Sequence, residues 1–355
     1  MNRTLFSIVF LLIFSTVVFP RQSFAQISSE TFTDKEGKEH DSGIDREVKD
    51  LPSGKTFQEF MAGALKGDAQ NQFEVGRCYR NGLRGAPKNL EEALKWYRKS
   101  AEQGNSNGEN NVGLCYWHGE GVERDDTQAV SWFRKSAEKG NSDAQNNLSC
   151  CYMMGTGVAQ DYVEMIKWCE KAAEQKHGLA ENNMGSNYRF GMGVPKDNQK
   201  AVAYFLRSAE DGCSLGQGNL GEIYFEGELV PRDYEQAVKW FQKAAEQGYQ
   251  AAESYLGVCY LKGRGVSRDL VEAKKWFQKA ADKGDSAGQF YLGDCYQWGL
   301  GCSVDLELAK HYYQLAAAQG RKMAKARLEN LNAATNLGLG HAPSKLLIAD
   351  PTPSP

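Results

Sequence analysis

Apolar residues recur along most of the chain with the spacing of amphipathic helices. Ala252, Leu256 and Tyr260 lie at i, i+4 and i+8, which places them on one face of a helix. A second apolar stretch, centred on Trp276, follows after a short segment with two glycines. The pattern predicts two helices joined by a turn in which glycine supplies a positive φ.

The same two-helix pattern recurs with a period of 36 residues. A tyrosine lies near the end of the first helix in each unit: Tyr79, Tyr116, Tyr152, Tyr188, Tyr224, Tyr260 and Tyr296. An acid or amide starts each second helix, where its side chain can accept hydrogen bonds from free backbone N–H groups: Asn89, Asp125, Asp161, Asp197, Asp233, Asp269 and Asp305. Seven units fill about residues 67–320, so the sequence predicts an all-α, α/α superhelical solenoid of about seven helix-turn-helix repeats.

Small residues are predicted to let the two helices of each unit approach closely. A glycine precedes each of the tyrosines by three residues, except in the third unit: Gly76, Gly113, Ser149, Gly185, Gly221, Gly257 and Gly293. The second helix carries a row of mostly tryptophan residues that, with a following alanine pair, is predicted to face the first helix: Trp96, Trp132, Trp168, Tyr204, Trp240, Trp276 and Tyr312. The next residue in each unit forms a second row, again interrupted in the third unit: Tyr97, Phe133, Cys169, Phe205, Phe241, Phe277 and Tyr313.

These rows resemble the Sel-one-like repeat family, a relative of the tetratricopeptide repeats. Unit six follows the family pattern from Ala252 to Gly284. The chain departs from that pattern at single positions, which affect local packing: Ser149, Met165, Lys176, Leu229 and one extra residue in the first loop. The resemblance implies a solenoid that acts as a scaffold, regulates envelope signalling or engages a host partner.

Half-repeats are predicted to cap both ends of the solenoid. Phe60 and Ala64 fit the second-helix register before unit one, and Ala324 and Leu328 continue the first-helix register after unit seven. The solenoid with its caps therefore occupies residues 54–332. The polar stretches 26–53 and 333–355 are predicted to be a flexible N-terminal segment and a disordered C-terminal tail.

The first 25 residues have the pattern of a secretory signal peptide. Arg3 precedes an apolar run from Leu5 to Phe19, and small residues before Gln26 indicate cleavage after Ala25. The run is short for a membrane anchor, which needs about 20 residues. We therefore expect an exported protein with no membrane span after cleavage, periplasmic or secreted if its source is bacterial.

Composition narrows the classes of partner and cofactor. A net charge of −3 gives no support for a nucleic-acid binder, and a charged fraction of 25% rules out a polytopic membrane protein. The five histidines do not cluster, so the sequence predicts no metal site and no cofactor.

Five of the nine cysteines share one repeat position and are predicted to be buried thiols: Cys78, Cys115, Cys151, Cys259 and Cys295. Packed helices lie about 8–10 Å apart, whereas bridged cysteines need Cα atoms within about 7 Å. The sequence does not decide whether two of the other four cysteines form a disulfide.

Three Gly-x-Ser-x-Gly sequences contain Ser106, Ser214 and Ser286. A hydrolase nucleophile in this motif lies between a strand and a helix and needs a nearby histidine. All three copies fall instead at the predicted turn between units, so the sequence predicts no enzyme. A weak β-lactamase-like or other hydrolase, to which the family resemblance also points, remains the alternative.

One face of the first helices is predicted to bind a protein or an extended peptide in the concave groove. Two residues before the repeat glycine stand four successive asparagines: Asn111, Asn147, Asn183 and Asn219. Carboxamides donate and accept hydrogen bonds, so this row could hold a peptide backbone. The alternative is that each asparagine bonds to a neighbouring helix. The preceding positions Asn110, Asn146 and Asn182 extend the polar row.

Aromatic residues add to this predicted face. Five are candidate anchors, since exposed Trp and Tyr are favoured at interfaces: Trp117, Phe190, Tyr255, Tyr291 and Trp298. Of these, Trp117 and Trp298 lie outside the structural Trp row, so the fold alone does not require them. The alternative for Trp117 and Trp298 is packing against a neighbouring loop.

Overall fold

The computed structural model describes residues 31–33, 39–41 and 54–336 of the 355-residue chain. The predicted signal peptide, most of the segment 26–53 and the tail beyond residue 336 lie outside the described residues. Two strands, β1 (Thr31–Thr33) and β2 (Glu39–Asp41), pair in antiparallel fashion with Phe32 opposite His40. They lie within the segment for which flexibility is predicted.

Sixteen helices follow, and they form the all-α repeat solenoid that the sequence predicts. They are α1 (Phe57–Leu65), α2 (Ala69–Asn81), α3 (Leu90–Glu102), α4 (Ser106–His118), α5 (Asp126–Glu138), α6 (Ser142–Met154), α7 (Tyr162–Glu174), α8 (Gly178–Phe190), α9 (Asn198–Glu210), α10 (Ser214–Glu226), α11 (Tyr234–Glu246), α12 (Gln250–Lys262), α13 (Leu270–Asp282), α14 (Ser286–Trp298), α15 (Leu306–Ala318) and α16 (Lys322–Asn336). No helix in the described residues is both long and apolar enough to cross a bilayer.

The helices are grouped as half a repeat, seven repeats and a closing helix. Helix α1 precedes repeat one (α2 and α3), and each later pair forms the next repeat up to repeat seven (α14 and α15). Helix α16 continues to Asn336, beyond the predicted boundary at residue 332. Residues 54–247, with repeats one to five, and residues 248–336, with repeats six and seven and α16, form two compact units.

Capping residues begin and end the helices where the sequence predicts. The Asp233 carboxylate accepts a hydrogen bond from the backbone N–H of Gln236 at 3.0 Å, and the other six predicted caps bind in the same way. Lys176 adopts a φ of 59° at the turn after repeat three, where Gly104 and Gly140 have φ of 82° and 90°. The left-handed conformation of this turn thus persists in the repeat that lacks its glycine.

Each repeat glycine lies directly against the aromatic ring of its own second helix. A Cβ added at Gly221 would be 2.6 Å from the Phe241 ring, and one at Gly257 would be 2.4 Å from the Phe277 ring. Both rings are fully buried. Because no side chain separates the helix backbone from the ring, the two helices pack at the shortest distance that the ring allows.

Repeat three departs from this arrangement at three positions together. Ser149 replaces the glycine, Cys169 replaces the aromatic residue and Met165 replaces an alanine, and all three are buried. The Ser149 hydroxyl donates to the Met165 carbonyl at 2.9 Å. The larger serine is accommodated because its neighbour is smaller, and methionine adds volume where the ring is missing. These departures are therefore one compensated change.

The cysteines confirm the prediction of buried thiols. All nine are unbridged, and eight are buried, including the five that share a repeat position. Burial raises the pKa of Cys150 and of Cys259 to about 12, so neither is a thiolate at neutral pH.

A side chain near the start of each first helix, four residues before the repeat glycine, forms a clamp between neighbouring second helices. In repeat five, Gln217 donates to the Ala209 carbonyl at 3.1 Å and accepts from Gln247 Nε2 at 2.8 Å. The clamp residues alternate along the chain: Gln72, Glu109, Gln145, Glu181, Gln217, Glu253 and Gln289. Their partners are the C-cap residues of the second helices: Gln103, Lys139, Gln175, Asp211, Gln247, Lys283 and Gln319.

The partner changes with the clamp residue so that a nitrogen faces an oxygen. Glutamine faces glutamine, whereas Glu109 faces the Lys139 ammonium at 2.7 Å and Glu253 faces Lys283 at 2.8 Å. Repeat four differs, because Glu181 faces Asp211.

The Glu181 carboxylate in repeat four is compensated from another position. Arg207 NH2 lies 2.7 Å from Glu181 Oε1 and donates to the Ala173 carbonyl at 3.1 Å, the bond that glutamine makes in repeat five. Burial raises the pKa of Glu181, Arg207 opposes the rise, and Asp211 adds to it.

Gly221→Ala should lower the free energy of unfolding by about 2 kcal/mol. Overpacking a core costs about 1–3 kcal/mol, and a Cβ only 2.6 Å from the Phe241 ring puts Gly221 at the upper end of that range, while the better helix propensity of alanine returns about 1 kcal/mol. The matched control is Ser149→Ala, which loses only a hydrogen bond worth about 1 kcal/mol. Urea denaturation measures both, and a Gly221→Ala variant as stable as the parent would contradict this account of the crossing.

Glu181→Gln should raise the free energy of unfolding at pH 7. Because the folded chain holds the Glu181 proton more tightly than the unfolded chain, this group lowers stability as pH rises from 4.5 through its raised pKa. The gain in the variant should therefore be largest at neutral pH and vanish below pH 4.5.

Thermal unfolding between pH 4 and pH 8 measures this difference. The control Glu109→Gln removes an ion pair with Lys139 and should give no gain at pH 7. A Glu181→Gln variant that is less stable than the parent at pH 7 would show that the Arg207 pair outweighs burial.

Candidate partner-binding face

The asparagine row forms a hydrogen-bonded ladder in the unit of residues 54–247. Asn147 Nδ2 donates to Asn110 Oδ1 at 3.1 Å, in the repeat before it. The next two rungs repeat this bond: Asn183 donates to Asn146 at 3.0 Å and Asn219 to Asn182 at 2.7 Å. The structure therefore shows bonding between neighbouring first helices, the alternative left open by the sequence.

The ladder uses only the donor half of each outer carboxamide. Asn147, Asn183 and Asn219 are half-buried, and their Oδ1 atoms reach solvent and accept no hydrogen bond from the described residues. Holding Nδ2 limits rotation of the side chain, so each repeat presents one oriented acceptor. Structural bonding and partner binding are thus compatible in the same residue.

Asn111 does not share this arrangement. It is buried, its Nδ2 donates to the Asn107 carbonyl at 3.0 Å, and its Oδ1 is buried without a hydrogen bond. The preceding repeat has Phe73 where repeats two to four have an asparagine, so no carboxamide is there to accept its proton. The row of oriented acceptors consequently begins at Asn147.

Trp117 lies beside the first acceptor. Its half-buried indole packs against Phe133 with ring centroids 6.2 Å apart, and the Arg124 guanidinium lies 6.0 Å from the indole. Trp117, His118 and Asn147 line a recess of about 30 Å³. The recess has room for about one water molecule and is too small for a side chain of a partner.

Phe190 is the most open of the predicted anchors in this unit. It is the last residue of α8 and 39% exposed, and the Arg189 guanidinium lies 5.3 Å from its ring. Asn183 lies on the same helix, seven residues or two turns earlier. Phe190 and Asn183 therefore share a face of α8.

The three aromatic candidates in residues 248–336 differ in accessibility. Tyr255 is buried, at 4% exposure, which differs from the exposed position expected of an anchor. Tyr291 stacks on Phe277 at 5.0 Å, and burial raises its pKa to about 12. The half-buried Trp298 hydrogen-bonds to Asp294 and lies 5.9 Å from the Arg327 guanidinium of α16. All three thus have packing partners within the fold.

The three serines of the Gly-x-Ser-x-Gly sequences occupy equivalent structural positions. Ser106, Ser214 and Ser286 are the first residues of α4, α10 and α14, and each follows a turn from another helix. His177 is accounted for structurally, since its Nδ1 caps α8 and its Nε2 contacts Asp143 at 2.9 Å. Among the described residues, no three His, Cys, Asp or Glu side chains are grouped to hold a metal ion.

The inner asparagines have a role that sequence reasoning missed, although the rows carried a signal for it. Asn110, Asn146 and Asn182 each precede an outer asparagine, and the acceptor of every bond lies one repeat before its donor. When the row of inner asparagines is aligned with the row of outer asparagines one repeat later, each inner residue is matched with the outer residue that donates to it.

Comparison with known proteins gives a consistent result for the repeats. A family model described as the Sel1 repeat matches residues 72–105, 106–141, 142–177, 178–213, 214–249, 250–285 and 286–320. A Sel1 repeat protein from Oxalobacter formigenes is 34% identical, with a TM-score of 0.64 over 70% of this chain and 99% of that structure.

Two further relatives are longer than the matched region. A protective antigen present in uropathogenic Escherichia coli strains, displaying an SLR fold, is 34% identical with a TM-score of 0.63; the match covers 78% of this chain and 59% of that one. The DAP3-binding cell death enhancer 1 of Rattus norvegicus is 46% identical over 55 residues, which is 16% of this chain and 11% of the rat protein.

Proposed function

Because the chain belongs to the Sel1 repeat family, we propose that it is an exported scaffold or adaptor that binds an extended peptide segment of a partner protein. Sel1 repeat proteins generally mediate protein–protein interaction, and the family is typically non-enzymatic. The binding site proposed is the acceptor row, defined as the Oδ1 atoms of Asn147, Asn183 and Asn219. The observation that carries the proposal is that these oxygens are oriented and face solvent.

The acceptor row matches the chemistry of a peptide backbone. An extended chain presents N–H donors that require acceptors, and the oxygens here are already oriented by their Nδ2 bonds. Little side-chain entropy is then lost on binding, which favours affinity.

Spacing along the row sets the register of the bound segment. Packed helices lie about 8–10 Å apart, and an extended segment in the polyproline II conformation rises about 3.1 Å per residue with three residues per turn. Every third N–H then points to the same side and would meet an asparagine. Exposed Phe190 supplies an apolar contact on the same face of α8.

Export is supported by the amino-acid sequence of residues 1–25. The E. coli relative is described as a protective antigen, which supports placing this protein, too, outside the cytoplasm. In that setting, the partner belongs to envelope signalling or to a host.

Asn147→Ala combined with Asn183→Ala should abolish capture of the partner from envelope and culture-medium extracts. The matched control is Asn110→Ala combined with Asn146→Ala, which breaks the same two hydrogen bonds but leaves the outer oxygens in place. Both double variants should lose similar stability, about 1 kcal/mol per hydrogen bond. The outer pair should lose the partner, whereas the inner pair should only weaken capture, because its outer oxygens remain but are no longer held in one orientation. Equal capture by the parent and the outer-pair variant would contradict the proposed site.

A peptide selected against the purified protein gives a second measurement of the same contact. N-methylation of the peptide at about every third residue removes the N–H that faces each asparagine, and each methylation in register should weaken binding about tenfold. Methylation out of register is the control.

Export with cleavage after Ala25 should give a mature chain that begins at Gln26. Intact mass spectrometry of the protein, produced with its own leader in a bacterial host and recovered from periplasm and medium, measures this directly. A full-length chain retained in the cytoplasm would contradict export.

A further inference from the structure

The second helix of repeat seven has an apolar outer face. Ala309, Tyr313 and Ala316 of α15 are buried in the core, so the outer face of this helix lies on the opposite side. Four exposed residues at i, i+3, i+7 and i+10 form this outer face: Leu308, His311, Leu315 and Ala318. The two leucines are 37% and 39% exposed.

The sibling repeats carry charges on the same face. In repeat six the four equivalent residues are all charged: Glu272, Lys275, Lys279 and Asp282. Those of repeat one are charged as well: Glu92, Lys95, Lys99 and Glu102. Throughout repeats one to six, a lysine or arginine stands in place of Leu315 and an acid in place of Ala318. Repeat seven is therefore the exception on this face.

Leu315 replaces a residue that elsewhere covers an aromatic ring. Lys99 Nζ lies 4.0 Å from the centroid of the Trp96 ring, and the equivalent lysine of repeat six lies at the same distance from its tryptophan. In repeat seven the aromatic neighbour is the half-buried Tyr312. An alkyl group makes no cation–π contact, so the exchange of lysine for leucine adds only apolar surface.

Val304 extends this apolar surface toward the start of α15. It is 53% exposed and directly precedes the Asp305 cap. The other six repeats have a basic residue or a glutamine in its place: Lys88, Arg124, Gln160, Lys196, Arg232 and Arg268. Single exposed apolar residues are common on protein surfaces. Here polar residues are replaced at four neighbouring positions of one repeat, which indicates a face that is covered.

The size of the face favours an occupant from the same chain. A stable interface between two proteins involves about 20–30 residues a side. This face offers Val304 and a few residues of α15, which is too little for a separate protein or a second copy. A tethered segment needs less contact, because a short linker holds it at an effective concentration in the millimolar range.

The sequence after α16 contains a segment with the matching chemistry. The longest apolar run there includes the apolar triplet, defined as Leu346, Leu347 and Ile348. The triplet lies outside the described residues. It is the exception within a stretch whose polar composition predicts disorder, and three large aliphatic side chains match the leucines of the outer face.

Helix α16 brings the chain to the right end of α15. A short turn (residues 319–321) joins the two helices, and Ala324 and Leu331 of α16 belong to the same buried cluster as the core residues of α15. The helices are therefore antiparallel, each roughly 20 Å long, and Asn336 lies level with the start of α15. Residues 337–345 can span up to about 30 Å, about three helix diameters, so the triplet can reach the outer face.

We propose that the apolar triplet docks on the outer face of α15 and covers Leu308 and Leu315. Removal of these side chains from water stabilises the docked segment, and the tether reduces the entropy cost of association. Repeats one to six keep the same face in water with charged side chains, whereas repeat seven has its face covered by the chain itself. The acceptor row belongs to the unit of residues 54–247, so this docking and the proposed partner site can each fail without the other.

Methyl NMR of the mature, full-length chain tests this contact directly. Nuclear Overhauser effects should connect the δ1 methyl group of Ile348 with the methyl groups of Leu308 and Leu315. The double variant Leu308→Glu, Leu315→Lys puts back the charges that repeat six has at exposed positions, so it should fold like the parent and lose these effects. The control Val163→Glu places a charge at a valine that is 74% exposed in another repeat and should keep them.

Cleavage after Lys345 by a lysine-specific endoproteinase gives a second readout. Docking protects this peptide bond, and the cleavage rate follows the population of the undocked segment. The double variant should therefore be cut about tenfold faster than the parent, whereas Val163→Glu should be cut at the parental rate. Intact mass spectrometry measures the loss of residues 346–355.

Two results would overturn the docking. The first is a parent that shows no Overhauser effects between Ile348 and the two leucines and is cut at the same rate as the double variant. The second is a dimer in sedimentation velocity that the double variant dissociates but Leu347→Ser combined with Ile348→Ser leaves intact, since the face would then belong to a second copy. Monomers in all three proteins would support the apolar triplet as the occupant.

Discussion

Contact between a bare glycine backbone and a buried aromatic ring determines how each repeat is built. At Gly221 or Gly257 even one added carbon would fall within 2.6 Å of the ring opposite. The ring consequently sets the separation of the two helices, and the helix pair sets where every other row of side chains lies. The clamp between second helices and the ladder between first helices both depend on that constant separation.

Repeat three shows that the constraint acts on pairs of positions. Serine fits at position 149 because Cys169 is smaller than the aromatic residue at this position in the other repeats. Met165 occupies part of the space that a ring would fill. The clamp row behaves in the same way, since Glu109 occurs with Lys139 whereas Gln217 occurs with Gln247. Substitutions in a repeat protein are thus interpretable against the sibling repeats. Where Asp211 faces Glu181 in repeat four, Arg207 supplies the positive charge that a lysine supplies in repeats two and six.

The asparagine ladder illustrates how one side chain can serve both structure and recognition. A carboxamide has separate donor and acceptor ends, and here the donors of Asn147, Asn183 and Asn219 join neighbouring repeats. Their oxygens are left in solvent as a consequence. An ionised carboxylate at these positions could not divide the two roles in this way, because it has no donor.

The amino-acid sequence by itself determined the elements of this protein: the helix pairs, their capping aspartates, the glycine turns and the burial of the repeat cysteines. These follow from the spacing of apolar residues and from local backbone preferences, and the same pattern occurs in seven repeats. Only the tertiary structure decided which side chains meet. The hydrogen bond from Asn183 to Asn146 depends on the neighbouring repeat, and so does the one from Arg207 to the Ala173 carbonyl. The burial of Asn111 and Tyr255 depends on it as well. Periodicity assigns a residue to a face of its helix, but the partner on the facing helix is set by how far the two backbones are apart and by what stands one repeat away.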